Sequence, residues 1–289
     1  MCKHHFKIAV FRISYGKNRS MIGFKKSTNF KFSLFVFFLL TIILNCNMPK
    51  SNSCDVTSGI CSPADTVQKN MKPVEEETTS GFRLIYFYDP LCGWCFGFSP
   101  VMTRLQEVYG DRLEIEVVSG GLFLGPRAGA VNAVAPHIKA GAYKSVELTT
   151  GVKFGKPFLD DVFGDGKITL NSLQPTIALS IVKEESREHE LRFAAMLLEH
   201  VYVDGIDPTD IEALAACAAK IGFDPVAFET KMKSFEYENA AKAEFETFRN
   251  NKFSAMPALV LVKNGREHQI SHGYMNFEDL KTKLDSFLF

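Results

Sequence analysis

The hydrophobic positions change their spacing from segment to segment, and the spacing predicts the elements. Arg83 to Tyr88 (RLIYFY) is a β-branched and aromatic run, the pattern of a buried strand. After Asp89-Pro90-Leu91, residues Val101, Leu105 and Val108 recur at helical spacing, which predicts a helix from Cys92–Cys95 (CGWC) to about Tyr109. Gly110-Asp111 then turns the chain into a second strand, Leu113 to Ser119 (LEIEVVS). Strand, helix, strand at this spacing is a βαβ unit, so the two strands are expected to be parallel.

From about Leu122 to Asn251 the strand signal almost vanishes. Ser172 and Pro175 open a helix ending near Glu185, and Arg187 to Val203 forms another, closed by Asp204-Gly205. Asp207-Pro208 is expected to start a third over Thr209 to Ile221, and Asp224-Pro225 opens a fourth. Glu236 to Arg249 is a fifth. Leu148 to Asn171, with Gly151, Gly155, Gly164 and Gly166, reads as a loop. The chain then returns to sheet. Ala258 to Val262 (ALVLV) is a short apolar strand behind Met256-Pro257, and Lys263-Asn264-Gly265-Arg266 is a hairpin turn of the kind Asn-Gly favours. His268 to Tyr274 is the partner strand, and Asn276 to Phe289 a closing helix. The order is βαβ, helical insert, β-hairpin, α.

The front of the chain has a different pattern. Phe32 to Leu44 is a 13-residue apolar run behind eight Lys and Arg and no acid. A membrane-spanning helix needs roughly 20 apolar residues, so this length suits a signal-peptide core over residues 1–46. With Met21 as the start, the segment ending at Cys46 resembles a lipoprotein signal, with Asn45 where a small residue is usual. Cleavage near Ser51–Ser53 and an uncleaved anchor are the alternatives to lipidation of Cys46. Residues 47–81 are polar, rich in Ser, Thr and Pro, and read as a tether. Cys54 and Cys61 within it either close a small loop or stand idle.

Charge changes the picture in one respect. The whole chain balances 33 basic against 33 acidic residues, but removing the basic front leaves 25 against 33, a net of −8. An acidic body lacks the electrostatic footprint of a nucleic-acid binder. Export to the periplasm, with anchoring through the N-terminus as an option, also favours disulfide chemistry over metal sites for paired cysteines.

The candidate chemistry is CGWC. A helix N-terminus presents unpaired N–H groups and the positive end of the helix dipole, so a thiolate at Cys92 is stabilised there. Cys95, one turn further, faces the same way, and two intervening residues allow a disulfide. The pair can alternate between dithiol and disulfide, with Cys92 attacking and Cys95 resolving. A zinc site would need ligands that neither a second CxxC nor the spacing of the histidines supplies, so no metal is expected. A static disulfide is the remaining alternative. Cys217, in IEALAACAAK, reads as inert core.

These residues resemble a family. YFYDPLCGWC, Pro100 five residues after the second cysteine, and a Met-Pro before a sheet-core strand look like the thioredoxin superfamily. The helical insertion at 122–251, between 82–121 and 252–289, is similar to the disulfide-bond protein A branch. Within it, Asp89-Pro90-x-Cys-x-Trp-Cys and Gly120–Leu122 look most like the FrnE-type predicted protein-disulfide isomerases.

The resemblance implies an α/β thioredoxin-like fold and an exported thiol–disulfide oxidoreductase or isomerase without a bound cofactor. It makes Cys92 the nucleophile, Cys95 the resolving cysteine and Pro257 a cis-proline beside them, with Met256 offering its backbone to the substrate. Trp94 either joins a substrate-docking patch or packs against the insert. The partners implied are cysteine-containing proteins and a membrane or soluble redox partner for recycling. A glutathione-linked isomerase or transferase of kappa-like type, a non-catalytic binding lipoprotein with a fixed disulfide, and a reductant or peroxide-handling protein driven by a membrane partner are the rival readings. Two departures matter. Strongly oxidising relatives have histidine where this chain has Trp94, which implies a less oxidising centre. Some relatives bury a carboxylate in the first strand, where this chain has Tyr86 and Phe87; Asp89 is the acid nearby, as a proton carrier or merely a turn former.

Overall fold

The computed structural model describes residues 81–251 and 255–289. The expected signal segment 1–46 with Cys46, and the tether with Cys54 and Cys61, lie outside the described residues. Along the chain run β1 (Phe82–Tyr88), α1 (Gly93–Tyr109), β2 (Glu114–Ser119), β3 (Gly129–Ala130), α2 (Val131–Val134), α3 (Tyr143–Thr150) and α4 (Lys156–Phe163). They are followed by β4 (Thr169–Leu170), α5 (Leu173–Glu185), α6 (Glu190–Tyr202), α7 (Ile211–Ala219), α8 (Pro225–Met232) and α9 (Phe235–Asn250). The chain closes with β5 (Ala258–Lys263), β6 (Arg266–His272) and α10 (Phe277–Leu288).

One sheet has the order β2-β1-β5-β6, with β1 parallel to β2 and antiparallel to β5. β1 is central, and Leu84 to Tyr88 are buried, as the apolar run predicts. Each such aliphatic or aromatic side chain contributes roughly 1.5–3 kcal/mol on burial. Asn264 and Gly265 carry the positive φ values, 52° and 70°, that the β5–β6 turn requires. The thioredoxin-like arrangement, βαβ then ββα around a helical insertion, is therefore present.

Three local expectations are corrected. The stretch read as a loop contains α4: Phe158 and Val162, four apart, are its buried face, and its glycines flank the helix as caps instead of interrupting it. In α1 the core face is Phe98, Met102, Leu105 and Tyr109, together with Val101, whereas Val108 is exposed. α7 starts at Asp210, whose carboxylate caps Ala213 N–H, because Asp207 instead accepts from the N–H groups of Thr209 and Thr169. The two-residue ladder β3–β4, inside the insertion, is too short to leave a sequence signal.

The outer edge of β2 is covered by side chains. Val117 N–H donates to Glu190 Oε1 at 2.5 Å, Ser119 N–H to Glu244 Oε2 at 2.8 Å, and Lys183 Nζ to the Val117 carbonyl at 2.5 Å. Lys183 also pairs with Glu244 at 2.7 Å and approaches Glu190 at 3.5 Å. Burial pushes the Glu190 carboxyl up to about 7 against the pull of Lys183.

Candidate active site

Cys92 is the N-cap of α1, and the backbone N–H of Cys95 donates to its Sγ at 3.4 Å. Asp89 and Pro90 form the turn that delivers it there, with Cys92 N–H bonded to the Asp89 carbonyl at 3.0 Å. Cys92 retains 7% of its exposure, whereas Cys95 is fully buried behind it. Both are free thiols. Burial pushes the Cys95 thiol up, and the adjacent Cys92 reinforces that shift. Tyr86 projects from β1 into the same core and brings its buried hydroxyl next to Cys95.

Met256 and Pro257 come to this site from the other half of the chain. Their peptide bond is cis. The Cys92 thiol donates to the Met256 carbonyl at 3.7 Å. Gly120 belongs to this junction, because a Cβ there would lie 2.3 Å from the Met256 sulfur. Trp94 is 38% exposed and, with residues of the insertion such as Ile138, Tyr143 and Val146, lines a cavity beside Cys92. Pro100 is accommodated inside α1, and Cys217 is buried in α7 away from the pair.

Asp89 is both turn former and buried carboxylate. Its Oδ1 accepts from Leu91 N–H at 2.9 Å and from the Ser172 hydroxyl at 3.0 Å, and its Oδ2 from Leu122 N–H at 2.7 Å. Burial outweighs these hydrogen bonds and pushes its carboxyl up to about 6. Ser172 in turn accepts from Phe123 N–H at 3.0 Å, which explains why it does not cap α5 with its side chain. The insertion is thus tied to the Asp89–Cys92 turn at Leu122, Phe123 and Ser172. A further tie is the Tyr202 hydroxyl, which donates to the Leu91 carbonyl from within a ring cluster with Phe96, Phe154 and Phe158.

Sequence reading missed Ser172, Tyr202 and Arg127 as neighbours of the site. Each belongs to the insertion and approaches only through tertiary contact. Among the described residues no group of three or more His, Cys, Asp or Glu is placed to hold a metal ion.

A model of the DSBA-like thioredoxin domain matches residues 83–285. The chain is 26% identical over 230 residues to the ClpXP adapter protein SpxH of Halalkalibacterium halodurans, spanning 75% of this chain and 69% of that one. It is 25% identical over 228 residues to SpxH of Shouchella clausii, spanning 78% and 70%. Among solved structures it is similar to a protein described as a disulfide isomerase from Nitrosomonas europaea, with TM-score 0.62, 25% identity and coverage of 72% of this chain and 97% of that one. It is also similar to the cytosolic disulfide reductase DsbM of Pseudomonas aeruginosa, with TM-score 0.58, 25% identity and coverage of 71% and 98%.

Proposed function

The chain belongs to the DSBA-like thioredoxin domain family, and from that premise we propose that it is an exported thiol–disulfide oxidoreductase acting on protein cysteines through Cys92 and Cys95. The observation that carries the reading is the Cys92 sulfur at the N-cap of α1, in a residue that keeps 7% of its exposure and lines two cavities, with Cys95 fully enclosed one turn behind.

The chemistry follows from that geometry. The Cys92 thiolate attacks one sulfur of a substrate disulfide; a Cys92–substrate bond forms and the other substrate sulfur leaves as a thiolate. Cys95, having lost its proton, attacks Cys92 Sγ, releasing the first substrate sulfur and leaving the Cys92–Cys95 disulfide. Run in reverse, the same steps oxidise a substrate dithiol. The Cys95 N–H points at Cys92 Sγ, and burial, reinforced by the adjacent Cys92, keeps Cys95 a protonated thiol until it is called on to attack. Met256 supplies a carbonyl beside the reacting sulfur for a substrate backbone N–H.

Residues 1–46 are proposed to direct export, and Cys46 to be a lipidation site. The recycling partner is proposed to be a membrane or soluble redox protein. Cell fractionation and mass analysis of the mature N-terminus test both statements about the leader.

The function is tested by titrating the protein in glutathione buffers and reading Trp94, the single tryptophan, by fluorescence. A reversible two-electron transition supports the reading. Cys92 and Cys95 permanently bridged or permanently free by thiol counting overturns it, and a binding role, like that named for the adapter relatives, then leads.

A further inference from the structure

Tyr202 ends α6, well inside the insertion, and its hydroxyl donates to the Leu91 carbonyl. That carbonyl belongs to the peptide unit joining Leu91 to Cys92. The N–H of the same unit, on Cys92, donates to the Asp89 carbonyl at 3.0 Å. One peptide plane is thus gripped on both sides, by the turn that follows β1 and by the insertion. Hydrogen bonds in series through a peptide unit polarise one another, so each strengthens the next. The phenol is held as firmly as the carbonyl. Its ring packs on Phe96, Phe154 and Phe158, with centroids 5.5, 5.2 and 5.1 Å away. The Tyr202 carbonyl accepts from Gly155 N–H at 2.8 Å, and only glycine permits that approach: a Cβ at 155 would lie 1.9 Å from the Val203 carbonyl oxygen. Burial, with Cys92, Asp89 and Cys95 close enough to act on it electrostatically, pushes the Tyr202 hydroxyl pKa up and keeps the phenol a neutral donor.

Resting on the disulfide-exchange reading, we propose that Tyr202 is a positioning residue for Cys92, its hydroxyl favouring the thiolate by holding and polarising the Leu91–Cys92 peptide. The Leu91 carbonyl oxygen carries partial negative charge one residue from the reacting sulfur, and the O–H dipole of the phenol offsets that charge. Leu91 is buried, and a buried carbonyl stripped of its donor costs more than the bond itself contributes. The same grip fixes Cys92 at the N-cap of α1, where the Cys95 N–H meets its sulfur at 3.4 Å. No bond is made or broken at Tyr202, and the phenol keeps its proton throughout. The insertion thereby tunes the chemistry of a cysteine 110 positions earlier in the chain without contributing a reacting atom.

The test compares the full chain with Tyr202→Phe, which keeps the ring and removes the hydroxyl, both reduced and followed on the Cys92 peptide by mass spectrometry. Iodoacetamide should alkylate Cys92 about three- to tenfold more slowly in the variant at pH 6, the scale of one hydrogen bond. The two rates should converge in alkali, where the Cys92 thiol is ionised in both proteins. The redox midpoint in glutathione buffers should become more negative, because the dithiol form has lost stabilisation. Phe158→Leu loosens the same ring cluster without touching Leu91, and should lower stability to urea while leaving the alkylation profile in place. 3-Fluorotyrosine at position 202, a stronger donor of nearly the same shape, should move the profile the other way, and it decides alone if Tyr202→Phe fails to fold. Coincident profiles overturn the proposal, as does a rate lowered by the same factor at every pH, which marks access instead of ionisation. An equal displacement from Phe158→Leu overturns it in favour of packing alone. Those outcomes leave the disulfide-exchange reading standing; a wild type without a reversible two-electron transition overturns both.

Discussion

The Ser172 hydroxyl donates to Asp89 Oδ1 at 3.0 Å, joining the loop that leads into Cys92 and Cys95 to a helix 83 positions further along the chain. The bond has a measurable pH signature. Burial raises the Asp89 carboxyl from 3.8 to about 6, so the folded state holds a proton over a range where the unfolded state has released it. That contribution to stability is complete below pH 3.8 and is lost as pH rises through about 6, at most ~3 kcal/mol by proton linkage. Urea unfolding between pH 4 and 8 should show the decline. Ser172→Ala removes a bond that favours the carboxylate, so the decline should move to higher pH, with a general loss of about 1–3 kcal/mol from the stranded buried groups. Asp89→Asn should remove its share of the slope; an unchanged slope would sink the assignment.

Lys183 is the cation facing Glu190 and Glu244 over the β2 edge. Its own burial favours the neutral form, but the two carboxylates hold its pKa above the ordinary value. Lys183→Met should cost about 2–4 kcal/mol at pH 8, because buried Glu190 loses the cation closest to it and keeps the Val117 N–H. The loss should shrink towards pH 5, where Glu190 accepts a proton, and adding Glu190→Gln should recover part of it. Thermal or urea unfolding at the two pH values decides.

Trp94 occupies the position beside Cys95 where an imidazole would stabilise a Cys92 thiolate. The redox midpoint is therefore expected to be more negative than about −120 mV, the value of the strongly oxidising type. Trp94→His should raise it, by on the order of 30 mV for a tenfold change in the equilibrium. Because that variant loses the fluorophore, its titration is read by alkylation and mass spectrometry. A wild-type midpoint at or above −120 mV contradicts the expectation.

Removal of either cysteine should give distinct products. Cys92→Ser abolishes exchange. Cys95→Ala allows the first attack but not its resolution, so a mixed disulfide on Cys92 should accumulate and be visible as an intact-mass adduct. In the reduced wild type, iodoacetamide should label Cys92 well before Cys95, following their exposures of 7% and 0%.

The sequence was most legible where signals are local. The apolar run of β1, the Asn264-Gly265 turn and the Asn276 cap of α10 each announce themselves within a few residues. CGWC was legible because a strand precedes it and a helix follows. α4 was not, since its eight residues are bracketed by Gly155 and Gly164, and glycine is as common in loops as at caps. Asp89 was ambiguous for a different reason. Its turn-forming bond to Leu91 is local, but its bonds to Leu122 and Ser172 depend on packing that no spacing encodes. Arg127 and Tyr202 approach Cys92 the same way. The parts of the candidate site contributed by the insertion are thus invisible to periodicity, whereas those contributed by the β1–α1 junction are not.

β1 lies between β2, which follows it closely, and β5, with Phe87 opposite Ala258. During synthesis the CGWC segment therefore emerges long before its second neighbour exists. For well over a hundred further residues the nascent chain carries two thiols that lack the Met256 carbonyl and the β5 strand of the finished site. Pairing over such sequence distances is slow compared with local helix formation. The insertion can coil first, and the β5–β6 hairpin docks last. A chain still being made is accordingly an incompletely shielded dithiol, and the complete site is assembled as a late step of maturation. A ribosome-bound chain stalled before Ala258 should present Cys95 to alkylating reagents as readily as Cys92.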